Sequence, residues 1–237
     1  PAFDIVAASY CLQYTVPYWP AGTVFVSVVD PGVGTSRRAS VAKLKNGSYV
    51  VTPDNGTLSY LHKMIGVEEI REIDEEVNRY AATKDVHVFH GRDLFAYCAA
   101  KLAAGIINFE QVGKKYPLEE MVLHEIKGAE VAQKYVKATI QGYDPFGSAE
   151  LSVLNAEFQK TGFAIGDKLK IKITTDHMVV FDEIVRYEKS FGYVEKGENV
   201  IFNDLASYVT IACNECMFAE TYHLDPEKTY IVEISEA

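Results

Sequence analysis

The two halves of this chain carry different hydrophobic patterns, and this difference most strongly limits the folds open to it. In the first half, β-branched runs at residues 23–29, 48–52 and 86–89 alternate with helical patterns at 58–65 and 93–104. Strands that alternate with helices are typical of an α/β layer. We therefore predict an N-terminal α/β domain with a mainly parallel sheet.

The second half contains short alternating runs with no long helix between them. Turn-rich segments such as Asp144-Pro-Phe-Gly147 separate these runs. This pattern predicts an all-β C-terminal domain, folded as an antiparallel barrel or sandwich. We place the first domain at residues 1–122 and the second at residues 130–237. The strands predicted in the second domain are 136–140, 168–175, 179–181, 199–202, 208–213 and 229–234.

The start of the chain differs from that of a usual doubly wound domain, which begins with its central strand and a turn into the first helix. Here a helical pattern at residues 4–14 leads directly into the strand at residues 23–29. We therefore expect the first βα unit to be absent from the N-terminal domain.

Charge and composition exclude several classes of function. The chain has 23 Lys and Arg against 33 Asp and Glu, a net charge of −10. A protein that binds nucleic acid or an anionic membrane normally presents a basic surface. No apolar run approaches the roughly 18 residues of a membrane span, and the N-terminus lacks the layout of a signal peptide. We therefore expect a cytoplasmic protein with no nucleic-acid or membrane partner.

Cys213 and Cys216 form a CxxC pair at the end of a predicted strand. No second CxxC and no His pair at ligand spacing accompanies them, so a zinc site would lack two of its ligands. We interpret the pair as structural rather than redox-active or metal-binding.

Polar residues follow each of the three predicted strands of the first domain. Asp30 and Arg37 lie in a glycine-rich turn after the first strand. Asn55 follows the second strand and His90 follows the third. Each alone has a simpler explanation, as a turn, a helix cap or a structural histidine. Because ligands of open α/β sheets bind beyond the carboxyl ends of the strands, the combination favours one shared site.

Three segments resemble the signature blocks of the S-adenosyl-L-methionine (SAM) hydroxide adenosyltransferases, the relatives of the fluorinase and chlorinase. These segments are Asp30-Pro-Gly-Val-Gly-Thr-Ser-Arg-Arg38, Pro53-Asp-Asn-Gly56 and Phe89-His-Gly-Arg-Asp-Leu-Phe95. The resemblance implies hydrolysis of SAM to adenosine and L-methionine without a cofactor. It also implies that Asp30, Arg37 and His90 form the catalytic group that activates water, and it leaves open whether Asp30 or His90 is the base.

The halogenating relatives differ from this chain at two positions of the first block. They carry Thr where Val33 stands, and the fluorinase carries Tyr where Asp30 stands. The fluorinase also has a long insertion between the first two blocks, where this chain has only a short link. The resemblance therefore favours a hydrolase, with a halide-dependent adenosyl transferase as an alternative.

The resemblance continues into the C-terminal domain. It implies that Phe146 and Phe191 face the adenine, that Asn203 lies at the methionine end, and that Asn214 lies at the adenine edge. The family also implies a homotrimer with sites at subunit interfaces. The substrate-binding residues that it implies are Asn55, Gly91, Asp144, Phe146, Ser148, Phe191, Asn203, Asp204 and Asn214.

Three positions of the C-terminal domain depart from the family pattern. Ser148 replaces the usual Asn, Asp204 replaces Ser and Ala206 replaces Gly. Asp204 places a carboxylate where the carboxylate of the methionine part is expected to approach. These departures keep a second alternative open, a SAM- or adenosine-binding protein without turnover.

Overall fold

A computed structural model describes residues 3–204 and 208–237, so Ala206 lies outside the described residues. The chain forms two compact units, Pro1–Ile126 and Lys127–Ala237. The first unit contains helices and a four-stranded sheet. Its elements are α1 (Ile5–Thr15), β1 (Val24–Val26), β2 (Ala39–Leu44), β3 (Tyr49–Pro53), α2 (Ser59–Met64), β4 (Val67–Glu72), α3 (Glu75–Asn78), a π-helical segment (Gly91–Ala96) and α4 (Tyr97–Ala103).

The sheet of the first unit is mixed, in the order β1-β3-β2-β4. Only β1 and β3 pair in parallel, whereas β2 is antiparallel to both β3 and β4. The prediction of a mainly parallel sheet is therefore not confirmed. The cause is the turn after β2, in which the amide of Leu44 donates to Ser48 over 2.9 Å. So short a connection can join only antiparallel neighbours.

The prediction of a strand at residues 86–89 is wrong, because no regular strand forms there. The amide of Val86 donates to the carbonyl of Thr83 in a turn. Val88 and Phe89 are 67% and 56% exposed. A β-branched run becomes a strand only where a neighbouring strand binds its backbone, and no such pairing is found among the described residues of this unit.

Helices cover both faces of the four-stranded sheet. Because side chains alternate along a strand, Ala42 and Val50 face one apolar cluster and Val41 and Val51 face another. The first cluster includes residues of α1 and α2, such as Leu61. The second cluster includes residues of the segment that leads into α4 and of α4 itself.

The second unit is a closed barrel of seven strands, with one short strand added beside it. Its neighbouring strands are antiparallel except for β9 and β10, and pairing between β12 and β6 closes the ring. The predicted barrel or sandwich is confirmed as a barrel. Its elements are β5 (Glu130–Ala132), β6 (Tyr135–Tyr143), β7 (Ala149–Leu154), α5 (Asn155–Phe158), β8 (Lys168–Thr175), β9 (Met178–Tyr187), β10 (Asn199–Asn203), β11 (Tyr208–Cys213), α6 (Phe218–Thr221) and β12 (Ile231–Glu236).

Cys213 and Cys216 are joined by a disulfide, with their Cα atoms 5.1 Å apart. The bond closes the turn that follows β11, where Glu215 has a positive φ of 54°. Cys11 and Cys98 are free thiols. In the described ranges, no helix is both long and apolar enough to cross a bilayer.

We predict that Ile171→Ala destabilises the barrel by about 2–5 kcal/mol, because Ile171 is fully buried inside it. Urea or thermal unfolding followed by circular dichroism measures the effect. Ile184→Ala is the matched control, since Ile184 lies on the neighbouring strand but is 59% exposed. Equal losses in the two variants would contradict the assignment of inward and outward faces.

Candidate active site

The chain leaving β1 forms two successive turns that bring Arg37 back to Asp30. The amide of Val33 donates to the carbonyl of Asp30, and the amide of Thr35 donates to that of Gly32. Arg37 then donates from Nε to both carboxylate oxygens of Asp30 over 3.0 Å, and from Nη2 to Oδ2 over 2.5 Å. A forked, charge-assisted contact of this kind fixes both side chains in one orientation.

His90 contacts the same guanidinium through the nitrogen that donates to Asp30 Oδ2. Its Nδ1 is 3.1 Å from Arg37 Nη2. His90 directly precedes Gly91, and a Cβ at Gly91 would lie 3.6 Å from Val28 on the chain leaving β1. The start of the π-helical segment is therefore close to the Asp30 turn. The structure thus brings Asp30, Arg37 and His90 together.

Burial strengthens the electrostatics of this group. The side chains of Asp30 and Arg37 are 5% and 11% exposed, and His90 is 6% exposed. The Arg37 guanidinium also lies 5.1 Å from the centre of the Phe95 ring. Burial lowers the pKa of His90, and Arg37 and Arg79 act in the same direction while Glu75 and Asp30 oppose it. The ring is therefore neutral at pH 7.

Asn55 is held at the same edge of the sheet. Its Nδ2 donates to the carbonyl of Val29 over 2.9 Å, directly before Asp30. Its Oδ1 accepts from the hydroxyl of Thr57, which makes a local turn. The neighbouring Asp54 is buried and accepts from Tyr116 Oη. Neither Asp54 nor Asn55 caps α2, because Leu58 occupies the cap position.

Arg79 and its partner Glu75, which the sequence analysis did not identify, also act on His90. Arg79 Nη1 lies 3.5 Å from His90 Nε2 and donates to Glu75 Oε2 over 2.9 Å. Arg79 is 8% exposed and also donates to the carbonyl of Val86. The spacing of four residues between Glu75 and Arg79 indicates an ion pair in the sequence. Nothing in the sequence connects that pair to His90.

In the second unit, Asp144 organises a tight turn. Its Oδ1 accepts from the amides of both Phe146 and Ser148 over 2.8 Å. Gly147 has a φ of +75°, and a Cβ there would lie 2.9 Å from Met217. This turn leaves the Phe146 ring 76% exposed and Ser148 buried. Phe146 therefore presents a ring face that can stack on a flat ligand.

Two further predicted residues lie elsewhere in the second unit. Phe191 is 53% exposed and packs edge-on against Phe202, with the ring centres 5.9 Å apart. Asn214 Nδ2 donates to the carbonyl of Val194 over 2.8 Å, inside the turn closed by the disulfide. Its amide side chain is therefore fixed by the barrel itself.

β10 ends at Asn203 and Asp204 follows it, beside a buried acid that the sequence analysis did not single out. The side chain of Asp204 accepts from the amide of Tyr208 and the hydroxyl of Thr210. Thr210 is opposite Glu150 in the sheet. Burial, with the nearby Asp204 carboxylate, raises the pKa of Glu150 to about 8. Glu150 is therefore mainly protonated at pH 7, which limits the repulsion between the two acids.

The first unit thus places a carboxylate, a guanidinium and a neutral imidazole in one buried contact at the end of an α/β sheet. Groups of these three kinds in contact can move a proton and stabilise a developing negative charge. Among residues 3–204 and 208–237, no group of three or more His, Cys, Asp or Glu is arranged to hold a metal ion.

Two family models match the chain. The SAM hydroxide adenosyltransferase N-terminal domain covers residues 1–113, and the C-terminal domain of the same family covers residues 138–231. The chain therefore belongs to the SAM hydroxide adenosyltransferase family, as its sequence motifs indicated.

Named relatives agree with this membership. The (R)-S-adenosyl-L-methionine hydrolase of Thermus thermophilus is 33% identical over 90% of this chain and 77% of its own length. That of Methanocaldococcus jannaschii is 33% identical over 84% of this chain, which spans 66% of the relative. A fluorinase from Nocardia brasiliensis is 27% identical over 87% of this chain and 75% of its own length.

A solved structure has the same fold. An uncharacterized conserved protein from Thermotoga maritima superposes with a TM-score of 0.88 at 31% identity. The match covers 99% of this chain and 85% of that protein.

We predict that Glu150→Gln changes how stability depends on pH. The folded protein keeps a proton on Glu150 that the unfolded chain loses above its ordinary pKa of about 4.3. Wild-type stability therefore falls as the pH rises from there to about 8, and it falls no further above that value. The Glu150→Gln variant does not lose stability in this way. Its unfolding free energy therefore rises relative to that of wild type between about pH 4.3 and about pH 8.

Denaturant unfolding at a series of pH values measures this difference. Glu195→Gln is the matched control, because Glu195 is exposed in the same unit. Parallel pH curves for wild type and Glu150→Gln would show that Glu150 is not a buried, protonated acid.

Proposed function

We propose that this protein hydrolyses SAM to adenosine and L-methionine by attack of water on C5′. The observation that carries this proposal is the buried contact of Arg37 with both Asp30 and His90. Family membership and the hydrolase names of two relatives support it. The reaction needs only water and SAM, so no cofactor is proposed.

The chemistry balances without another reactant. The water oxygen forms a bond to C5′ while the bond from C5′ to the sulfonium sulfur breaks. The electron pair of that bond goes to sulfur, so methionine leaves as a neutral thioether. The proton of the water goes to a base, and positioned base catalysis typically contributes roughly 10²- to 10⁴-fold. A buried site favours a step in which opposite charges cancel.

We assign the base to Asp30. A neutral imidazole has one nitrogen lone pair, and the contact of His90 Nδ1 with Arg37 occupies it. A carboxylate has about four lone-pair sites, of which Arg37 uses only some. Asp30 therefore keeps acceptor capacity for a water proton, while Arg37 stabilises the developing hydroxide.

The second unit supplies the proposed contacts to the rest of the substrate. The exposed rings of Phe146 and Phe191 offer stacking faces to adenine and to the sulfonium cation. Asn55 and Gly91 are the proposed substrate contacts from the first unit. The other proposed contacts are Asp144, Ser148, Asn203, Asp204 and Asn214.

We also propose that the protein assembles as a homotrimer and is located in the cytoplasm. Light scattering on the purified protein tests the trimer, and a dimer or monomer at assay concentration would contradict it.

The deciding experiment incubates the purified protein with SAM and follows the products by chromatography, with and without chloride. The proposal expects equal amounts of adenosine and L-methionine whether or not chloride is present. A 5′-chlorinated nucleoside formed only with chloride would favour a halide-dependent transferase. Tight adenosine binding without methionine release would favour a binding protein.

We predict that Arg37→Lys lowers kcat by about 100-fold or more, because lysine cannot make the forked contact with Asp30 and also reach His90. Arg38→Lys is the matched control. Arg38 is the next residue, but it pairs with Glu120 and lies over the Tyr116 ring. Initial rates of adenosine release compare the two, and similar rates would contradict the role of Arg37.

We predict that the acid limb of the rate profile lies below the ordinary pKa of histidine, about 6.5. His90 must stay neutral to accept from Arg37, and its pKa is lowered chiefly by burial. The rate therefore stays constant near pH 7 and falls only as the pH drops below about 6.5. A limb centred at or above it would contradict the neutral state of His90.

A further inference from the structure

The imidazole of His90 lies between two guanidinium groups. Arg37 Nη2 is 3.1 Å from Nδ1, and Arg79 Nη1 is 3.5 Å from Nε2. Arginine remains protonated in proteins, so both groups can only donate. A neutral imidazole has one lone pair and one N–H, so it can accept from only one of the two. The shorter contact identifies that partner as Arg37.

The proton of neutral His90 is then on Nε2, on the side of Arg79. There the carboxylate of Glu75 accepts from Arg79 Nη1 over 2.9 Å. Glu75 is also the negative charge that most strongly favours a positive His90 ring. Arg79 therefore makes no hydrogen bond to Nε2, and it contacts that side of the ring through packing and charge, with Glu75 balancing its charge.

We infer that Glu75 and Arg79 form a positioning pair for His90, which holds the ring with Nδ1 toward Arg37 and thereby helps to orient Arg37 against Asp30. Arg79 can hold this position because it is anchored on its other side. Its Nη2 donates to the carbonyls of Val86 and Thr83. The pair therefore connects the end of α3 to the irregular segment that precedes His90.

The two members of the pair act on His90 in opposite directions. The charged groups acting on the ring are Asp30, Arg37, Glu75 and Arg79. Removing the positive charge of Arg79 makes protonation of the ring easier, whereas removing the negative charge of Glu75 makes it harder. A pair that stabilised the fold at a distance from the ring would not produce these opposite changes.

Nuclear magnetic resonance of protein labelled with ¹⁵N-histidine tests this inference. The chain has 6 His, and the spectrum of His90→Gln assigns the signals of His90 by their loss. The expected wild-type pattern is a protonated Nε2 and an unprotonated Nδ1. Arg79→Met should raise the pKa of His90, Glu75→Gln should lower it, and Arg79→Lys should stay near wild type.

Glu76→Gln is the matched control. Glu76 lies beside Glu75 on α3, but it is exposed and pairs with Lys84 over 3.7 Å. The pKa of His90 should not change in this variant. Signals of the other histidines report whether each variant is folded, and Glu75→Gln decides the matter if Arg79→Met does not fold. A wild-type ring protonated on Nδ1, or a His90 pKa that does not respond to Glu75→Gln, would overturn the inference.

Kinetics provide a second readout, which rests on the proposed function. Glu75→Gln and Arg79→Met should lower kcat by about 10-fold, as the loss of a supporting residue behind a site typically does, while KM stays near wild type. Arg79→Lys should restore part of the rate. If the wild-type protein releases no adenosine, the proposed function fails, while the resonance experiment still decides the positioning pair.

Discussion

The ion pair between Arg37 and Asp30 is the interaction on which the candidate site depends. It orients the carboxylate, and the same guanidinium extends the contact to His90. Its low exposure makes it stronger than a surface pair and makes the loss of either partner costly, because a buried charge would be left alone. The antiparallel pairing of β2 with β3, in which Ala39 is opposite Pro53, supports this ion pair. That pairing places the start of one strand and the end of the other at one edge.

The second unit contributes a different kind of constraint. Glu150 and Asp204 are two acids near one another in the wall of a barrel, and burial keeps the first one protonated. An acid that stays neutral at pH 7 can donate a hydrogen bond, which a carboxylate cannot. The departures of Ser148 and Asp204 from the family pattern therefore lie in a region whose charge is lower than the sequence indicates.

Much of the barrel and the Asp30, Arg37 and His90 group could be predicted from sequence, whereas several neighbours could not. The predicted strands at 168–175 and 208–213 coincide with β8 and β11. Burial alternates along β8, which is typical of a barrel strand with one buried face, whereas every residue of β11 is buried. The predicted strand at 86–89 does not form, because the hydrophobicity of a segment does not indicate whether a partner strand lies beside it. Arg79 was missed because its contact with His90 depends on an irregular segment whose path no local pattern encodes.

Hydrolysis of SAM in water enriched in ¹⁸O tests the central claim most directly. Attack of water on C5′ places the label in the 5′-hydroxyl of adenosine and leaves methionine unlabelled, which mass spectrometry of both products can measure. Unlabelled adenosine, or label found in methionine, would contradict an account in which Asp30 and Arg37 activate water toward C5′.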